Sequence, residues 1–231
     1  MNGWKRAELS GQVPPSLKLA DKGPWLRGMS AVIYELEHLS KRNDYEFEAG
    51  EEERERMRET LLEDWEIHDK ASMLLWIERV KGGENSRLFE EMRAFLDTMR
   101  DEEQLKYIQS LKPENTKYHE YLIVRTYMYQ LPAAGIAAWD WAYDAYLCRK
   151  CAHVGIITRT ESNALLLDIA LKAQSAYNSW KEYAVAFMAG RLFRLGTTEE
   201  TVVQKHLKIV QQLFTDPDSI YIRVKWDLAL Q

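Results

Sequence analysis

The chain has few of the residues that cross-link or interrupt a fold. It contains two cysteines among 231 residues, Cys148 and Cys151, so a disulfide framework is not expected to hold it together. It has only 11 glycines and 6 prolines, which is typical of a mostly helical chain rather than a many-turned β protein. These scarcities predict a helical protein in a reducing compartment.

A long apolar run is absent as well. No stretch reaches the ~18 apolar residues of a membrane span, and the nearest, from Leu131 to Cys148, is interrupted by Asp140 and Asp144. The first ten residues lack the apolar centre of a secretory signal. We therefore expect a soluble, cytoplasmic protein that makes no membrane contact.

An excess of basic residues is also missing. The formal net charge is −5 and the isoelectric point is near 5.7, so a nucleic-acid partner is not expected. The sequence has no G-x-S-x-G nucleophile motif, no glycine-rich phosphate loop and no H-E-x-x-H metal motif. These absences favour a protein that is not an enzyme and carries no cofactor.

Apolar and aromatic residues, by contrast, are plentiful and lie at helical spacing. Hydrophobic residues make up 46% of the chain, with 8 Trp and 12 Tyr, enough to bury a substantial core. Their spacing predicts an all-α fold, a single irregular bundle of roughly seven to ten helices over residues 30–231. The helix predicted over 133–154 is apolar on nearly every face and should be central.

Both ends of the chain are predicted to be less regular. Residues 1–29 contain a Pro-Pro pair at 14–15 and a Gly-Pro pair at 23–24. These pairs favour an extended arm packed on the body rather than a separate domain. The tail after Pro217 alternates apolar and polar residues, and we expect an extended segment held against the bundle.

Three capping boxes mark helix starts in the last third of the chain. In such a box a Ser or Thr side chain accepts from the backbone of the third helical residue. A Glu at that residue accepts from the cap backbone, and each box contributes about 1 kcal/mol. The pairs are Thr158 with Glu161, Ser179 with Glu182, and Thr197 with Glu200.

Several of these segments together resemble a known family. A-W-D at 138–140, G-I-I-T at 155–158, S-W-K-E-Y at 179–183 and G-R-L-F at 190–193 resemble the bacterial domain-of-unknown-function 1266 family, which includes the YbeU/YbeR-like proteins. The resemblance runs from about Leu62 to the C-terminus and implies an all-helical fold with no established activity. It points to a chaperone-linked accessory role. By analogy with helical immunity proteins of similar size, it also suggests a toxin-neutralising role.

Three polar residues of that resemblance form the candidate site. Asp140 interrupts an apolar helix, and a buried carboxylate needs a partner, which Arg149 or Arg191 could supply. One interpretation is a structural ion pair that fixes the helix register. The other is a polar pocket in which Asp140 acts as a general base.

Cys148 and Cys151, with His153, form the one metal-like spacing. Zinc usually takes four ligands, and no second Cys/His pair follows. A redox C-x-x-C normally lies at a helix N-terminus, whereas this one lies near the predicted C-terminal end. We predict small buried side chains and no metal.

The function favoured by these patterns is a non-enzymatic cytoplasmic interaction factor for an unidentified protein partner. It would be either a chaperone-linked accessory or a toxin-neutralising protein. The acidic segment 44–66 is either a solvated helix face or a docking surface for a basic partner. The alternative function is an enzyme or small-molecule-binding protein with a polar pocket around Asp140, Arg149 and Arg191.

Overall fold

A computed structural model describes residues 19–37, 45–48, 50–81 and 83–230 of the chain. These residues form twelve α-helices and no strand, which confirms the predicted all-α fold. The helices are α1 (Leu19–Gly28), α2 (Ala31–Leu36), α3 (Glu51–Trp65), α4 (Lys70–Lys81), α5 (Glu84–Asp97), α6 (Asp101–Ser110), α7 (Thr116–Tyr127), α8 (Ala137–His153), α9 (Arg159–Ala176), α10 (Trp180–Leu195), α11 (Glu200–Thr215) and α12 (Ile220–Arg223). No helix among them is both long and apolar enough to cross a bilayer.

Helix α8 lies at the centre of the bundle, as predicted. It begins at Ala137 rather than at residue 133, because the preceding residues form a turn in which the Gly135 N–H donates to the Pro132 carbonyl at 2.9 Å. Its side chains are buried on almost every face, against α2, α4, α9 and α10. A helix that is apolar all round needs this cover, because any exposed face would leave apolar surface in water.

Helices α8 and α10 pack closely at Gly190. A Cβ atom placed there would lie 2.5 Å from the Trp139 Cβ and 3.2 Å from the Ile136 carbonyl oxygen. Both distances are shorter than the ~3.5–4.0 Å at which carbon atoms pack. Glycine at this position therefore allows the two helices to approach each other.

The N-terminal arm is helical over Leu19–Gly28, so the prediction of an extended arm up to residue 29 is wrong there. Pro24 lies inside this helix, where proline costs roughly 3 kcal/mol. Burial of Trp25 offsets that cost, since a tryptophan buries about 150–250 Å² and this one is fully buried. The arm predicted over 1–18 lies outside the described residues.

Three tryptophans attach the C-terminal tail to the bundle. The Trp25 indole donates to the Trp226 carbonyl at 2.9 Å, and the Trp180 indole donates to the Val224 carbonyl at 2.8 Å. The centres of the three indole rings lie 4.8 to 5.1 Å from one another. The prediction of a tail held against the bundle is confirmed, although Ile220–Arg223 form a short helix rather than extended backbone.

The capping box at the start of α9 forms as predicted. The Glu161 N–H donates to the Thr158 hydroxyl at 3.2 Å, and the Glu161 carboxylate accepts from the Thr158 N–H at 2.8 Å. Glu161 also pairs with Lys70 at 2.6 Å, so this cap joins α9 to α4. The hydrogen bonds from Lys70 and Thr158 lower the pKa of Glu161 to about 2.

The other two predicted boxes differ from the structure. Ser179 caps α10 by accepting from the Glu182 N–H at 3.1 Å, but Glu182 accepts from the Asn178 N–H rather than from Ser179. The box predicted for Thr197 and Glu200 is wrong, because α11 begins at Glu200 itself and no side chain caps it.

Thr197 belongs instead to the end of α10. Gly196 takes the left-handed conformation, with φ of 58°, and the Thr197 N–H donates to the Leu192 carbonyl at 3.4 Å. This is the arrangement of a glycine C-cap, in which the residue after the glycine still satisfies the helix that has just ended. The Thr197 hydroxyl accepts from the Glu199 N–H, at 3.1 Å, in the connection to α11.

Candidate functional site

Asp140 is buried in the first turn of α8, with 9% of its surface exposed. Its carboxylate accepts a hydrogen bond from the Ser86 hydroxyl at 2.6 Å. Burial raises the pKa of Asp140 to about 6, and the hydrogen bond from Ser86 opposes that shift. No hydrogen bond or ion pair in the described structure joins Asp140 to Arg149 or Arg191, so the predicted ion pair is wrong.

Helix geometry explains why Arg149 does not reach Asp140. Nine residues along an α-helix correspond to ~13.5 Å of rise and place the two side chains on opposite sides. Arg191, on α10, contacts Tyr143 and His206 instead. The three candidate residues therefore make three separate sets of contacts rather than lining one pocket.

Arg191 joins α10 to α11 through His206. The Arg191 Nε donates to His206 Nε2 at 2.9 Å, while His206 Nδ1 lies 2.5 Å from the Val202 carbonyl. This arrangement fits a neutral ring with its proton on Nδ1, because Nε2 must accept from Arg191. Burial lowers the pKa of His206, and the charge of Arg191 acts in the same direction.

Cys148 and Cys151 are fully buried, as predicted. Burial raises the pKa of Cys151 to about 12, so its thiol stays protonated at neutral pH. Among the residues that the structure describes, no group of three or more His, Cys, Asp or Glu side chains is placed to hold a metal ion. His153 lines a separate groove that α8 forms with α1, α3 and α9.

This groove has a volume of about 900 Å³ and is the site we define as the arginine groove. Its charged and titratable lining residues are Arg27, Glu46, Arg54, Arg149, His153 and Arg159. Leu26, Phe47 and Leu166 supply apolar surface on the same walls. A cavity of this size lies within the range of about 300–1,000 Å³ that small-molecule sites occupy.

The arginine groove is cationic although the whole chain is acidic. Its described lining has four arginines against a single carboxylate, that of Glu46, which pairs with Arg27 at 3.3 Å. Arg54 pairs within α3, also at 3.3 Å. Arg149 and Arg159 have no carboxylate partner in the described part of the chain. The groove thus carries positive charge that the described carboxylates do not balance.

Arg149 is held in place from several sides. It donates to the Ser30 hydroxyl at 2.8 Å and to the Tyr45 carbonyl. The guanidinium lies 5.2 Å from the centre of the Tyr34 ring and 5.4 Å from that of Phe47, within the ~6 Å of a cation–π contact. Burial lowers the pKa of Arg149, but an arginine still stays charged at neutral pH. The groove therefore contains a fixed positive charge that is largely shielded from water.

Arg54 Nε and His153 Nε2 are buried nitrogen atoms on the groove walls for which the described residues provide no hydrogen-bond partner. The pKa of His153 is lowered by burial and further by the charges of Arg54 and Arg159. A buried polar atom without a partner costs about 1–3 kcal/mol. A ligand that accepts hydrogen bonds in the groove would relieve that cost.

A second cavity, of about 450 Å³, lies between α3, the turn before α4 and the α8–α9 connection. Its charged lining is of mixed sign and includes Arg58, Lys70 and Glu55. Arg58 pairs with Glu55 at 2.6 Å, and Lys70 pairs with Glu161 at 2.6 Å. Because these charges satisfy one another, this cavity has less capacity for a charged ligand than the arginine groove.

Arg149 is the one predicted site residue that lines the arginine groove. Arg54 lies in a strongly acidic stretch of sequence, and the spacing of His153 from Cys151 suggests a metal ligand rather than an anion site. The sequence feature that could have located the groove was Arg149, which interrupts an apolar helix just as Asp140 does. A buried cation indicates a need for hydrogen-bond acceptors, as a buried carboxylate indicates a need for donors.

The comparisons with known proteins give one family. A family model described as "Protein of unknown function (DUF1266)" matches residues 60–226, which is more than half of the chain. No curated protein and no solved structure matches this sequence. The matched range includes Arg149, His153 and Arg159, whereas Arg27 and Arg54 precede it.

Proposed function

This chain belongs to the DUF1266 family, whose description names no activity, and we propose that it is a non-enzymatic binding protein that holds an anionic ligand in the arginine groove. The observation that carries the proposal is the charge of the groove, where four arginines face one carboxylate among the described residues. Two opposite charges 4 Å apart attract by about 4 kcal/mol at the effective dielectric near a protein surface. An anion in the groove would meet several such charges at once.

Arg149 supports this proposal through its surroundings. It is fixed by neutral acceptors, the Ser30 hydroxyl and the Tyr45 carbonyl, and by two aromatic rings. Burying a cation costs free energy unless it is hydrogen-bonded and paired with a charge of opposite sign. A ligand anion can supply that charge while the neutral contacts hold the guanidinium in position.

Binding without a reaction is supported by the state of the groove's hydroxyl group. The Ser162 hydroxyl donates to the Cys148 carbonyl at 3.1 Å and is therefore engaged with the backbone rather than with a base. The remaining polar groups on the described walls are arginines, a histidine, an amide and the carboxylate of Glu46, which pairs with Arg27 at 3.3 Å. This set of groups suits recognition of an anion.

The protein partner expected from the sequence, chaperone-linked or toxin-neutralising, stays a prediction, as does the cytoplasmic location. The acidic docking surface over 44–66 also stays a prediction. On α3, Arg56 pairs with Glu53 at 2.7 Å and Arg58 pairs with Glu55 at 2.6 Å. Because these acidic side chains already have cationic partners, we place recognition in the arginine groove rather than on the outer face of α3.

A thermal-shift experiment with a panel of anions tests this proposal. Inorganic phosphate, citrate, AMP and an octaglutamate peptide would be added at low ionic strength, where surface charges are least screened. We expect at least one of them to raise the melting temperature of the wild type but not that of Arg149→Met, which keeps the apolar stem and removes the charge. Arg87→Met is the matched control, because Arg87 is an exposed arginine on α5 that does not line the groove. Equal shifts in wild type and Arg149→Met, or no shift with any anion, would contradict the proposal.

A further inference from the structure

We infer that the ligand of the arginine groove is a small molecule that carries a phosphate group on an apolar or planar body. This inference rests on the proposed function and names the chemical class of the anion. It depends on three features of the groove: the kind of cation, the number of converging donors and the apolar surface beside them.

The cations of the groove are arginines, beside one histidine, and the described lining residues include no lysine. A guanidinium is planar and offers N–H groups in a fork that matches two oxygens of a phosphate or carboxylate. A lysine offers a compact, strongly hydrated charge without that geometry. A groove whose fixed cations are arginines is therefore suited to an oxyanion held at defined angles.

Arg54 and Arg159 provide donors for such an oxyanion, and His153 provides a third when its ring is protonated. Arg54 on α3 has a buried Nε without a described partner, and His153 on α8 has a buried Nε2 in the same condition. Arg159, in the first turn of α9, is exposed and has no carboxylate partner in the described structure. A phosphate has three terminal acceptor oxygens, whereas a carboxylate has two. The donor set thus matches a phosphate more closely than a carboxylate.

The apolar walls indicate that the phosphate is part of a larger molecule. Phe47 and Ala152 are half-buried and line the groove, so both keep apolar surface that a ligand can contact. The volume of about 900 Å³ is large for an inorganic ion but typical of a site for a drug-sized compound. The aromatic ring of Phe47, 5.4 Å from that of His153, offers a surface on which a planar group can pack.

Isothermal titration calorimetry with matched probes tests this assignment. The probes are AMP, inorganic phosphate, citrate, a phosphoserine peptide and an octaglutamate peptide. We expect AMP to bind at least tenfold more tightly than inorganic phosphate or citrate. We expect its affinity to fall at least tenfold in Arg159→Gln and in Arg54→Gln, and to stay unchanged in Arg87→Gln. Arg159 and Arg54 are accessible enough that the melting temperatures of Arg159→Gln and Arg54→Gln should remain near that of the wild type. A loss of binding can therefore be told apart from a loss of folding.

The other outcomes separate this inference from the proposed function. Groove-dependent binding of the octaglutamate or phosphoserine peptide, without binding of AMP, would overturn the small-molecule assignment and leave an anion-binding groove in place. Binding of citrate as tight as that of AMP would overturn the choice of phosphate. Absence of groove-dependent binding for every probe would overturn both, and AMP binding that survives Arg159→Gln and Arg54→Gln would place its site elsewhere.

Discussion

Arg149 on α8 donates a hydrogen bond to the Ser30 hydroxyl at 2.8 Å, across 119 positions of the chain. Ser30 is fully buried at the start of α2, and its hydroxyl also donates to the Arg27 carbonyl at 3.3 Å. One side chain thus connects the central helix, the N-terminal helices and the arginine groove. It gives Ser30 a positioning role that can be measured.

Ser30→Ala should weaken ligand binding without removing any charge from the groove. Loss of a hydrogen bond to a charged group costs about 1.5–3 kcal/mol, so the free energy of unfolding should fall by roughly that amount. The affinity for AMP should fall as well, because Arg149 loses one of its fixed contacts. Ser175→Ala is the control, since Ser175 is exposed and donates only to the Lys172 carbonyl. Unchanged affinity in Ser30→Ala would show that Ser30 does not position Arg149 for binding.

Asp140→Asn should stabilise the protein at pH 8. Burial raises the folded pKa of Asp140 to about 6 from its ordinary value of 3.8. The contribution of this group to stability is therefore full below pH 3.8 and is lost as the pH rises through 6. Asparagine keeps an acceptor for Ser86 and removes the buried charge. The gain should approach about 3 kcal/mol above pH 7 and vanish near pH 4. Urea unfolding at several pH values measures it, and a gain that does not depend on pH would contradict this account.

His206 should make the protein less stable in mild acid. Its folded pKa is lowered from 6.5, so its contribution to stability is full above pH 6.5 and is lost as the pH falls through the folded pKa. Protonation would place a proton on the Nε2 that now accepts from Arg191. The decline should be smaller in His206→Gln, whereas His68→Gln, which changes an exposed histidine, should behave as the wild type does. Identical pH profiles for wild type and His206→Gln would disprove this role.

Gly190→Ala should destabilise the bundle. A Cβ at that position would lie 2.5 Å from the Trp139 Cβ, so α8 and α10 would have to separate. Overpacking of this kind costs about 1–3 kcal/mol. Gly50→Ala is the control, because a Cβ there meets no atom within 4 Å. Chemical denaturation measures both, and an equal effect of the two substitutions would show that the helices can move apart at little cost.

Ligand binding should be accompanied by proton uptake at His153. In the free protein its pKa is lowered by burial and by Arg54 and Arg159, with a contact to the Glu48 backbone and the charge of Glu53 opposing them. A bound phosphate places negative charge beside the ring and favours its protonated form. The affinity for AMP should therefore increase more between pH 8 and pH 6.5 in the wild type than in His153→Gln. Comparing the two proteins removes the effect of the titration of AMP itself, which is the same in both. Equal increases would show that His153 does not take up a proton.

The helices were predictable because they depend on local pattern. The spacing of apolar residues predicts α8 and its central position, and the Thr158–Glu161 pair predicts the start of α9, since both signals lie within a few residues of the structure they specify. The Thr197 box failed because Thr197 is used by the helix that ends there. α1 was missed because the burial of Trp25 against Trp180 and Trp226 is a long-range contact that outweighs a local proline.

The site was less predictable because it depends on which distant segments meet. Asp140 and Arg149 both signal buried charge, but sequence alone does not reveal that Ser86 satisfies the first and that Ser30 and Tyr45 hold the second. The arginine groove combines residues from α1, α3, α8 and α9. Their convergence is a property of the packed bundle rather than of any one motif.

A crystal structure of the protein with AMP, at a concentration near its measured Kd, tests the central claim most directly. We predict that the phosphate lies in the arginine groove, within hydrogen-bond distance of Arg159, Arg54 Nε and His153 Nε2, with the base packed on the apolar wall beside Phe47. A phosphate bound in the cavity beside Lys70, or a groove without AMP while the protein is saturated in solution, would contradict the account.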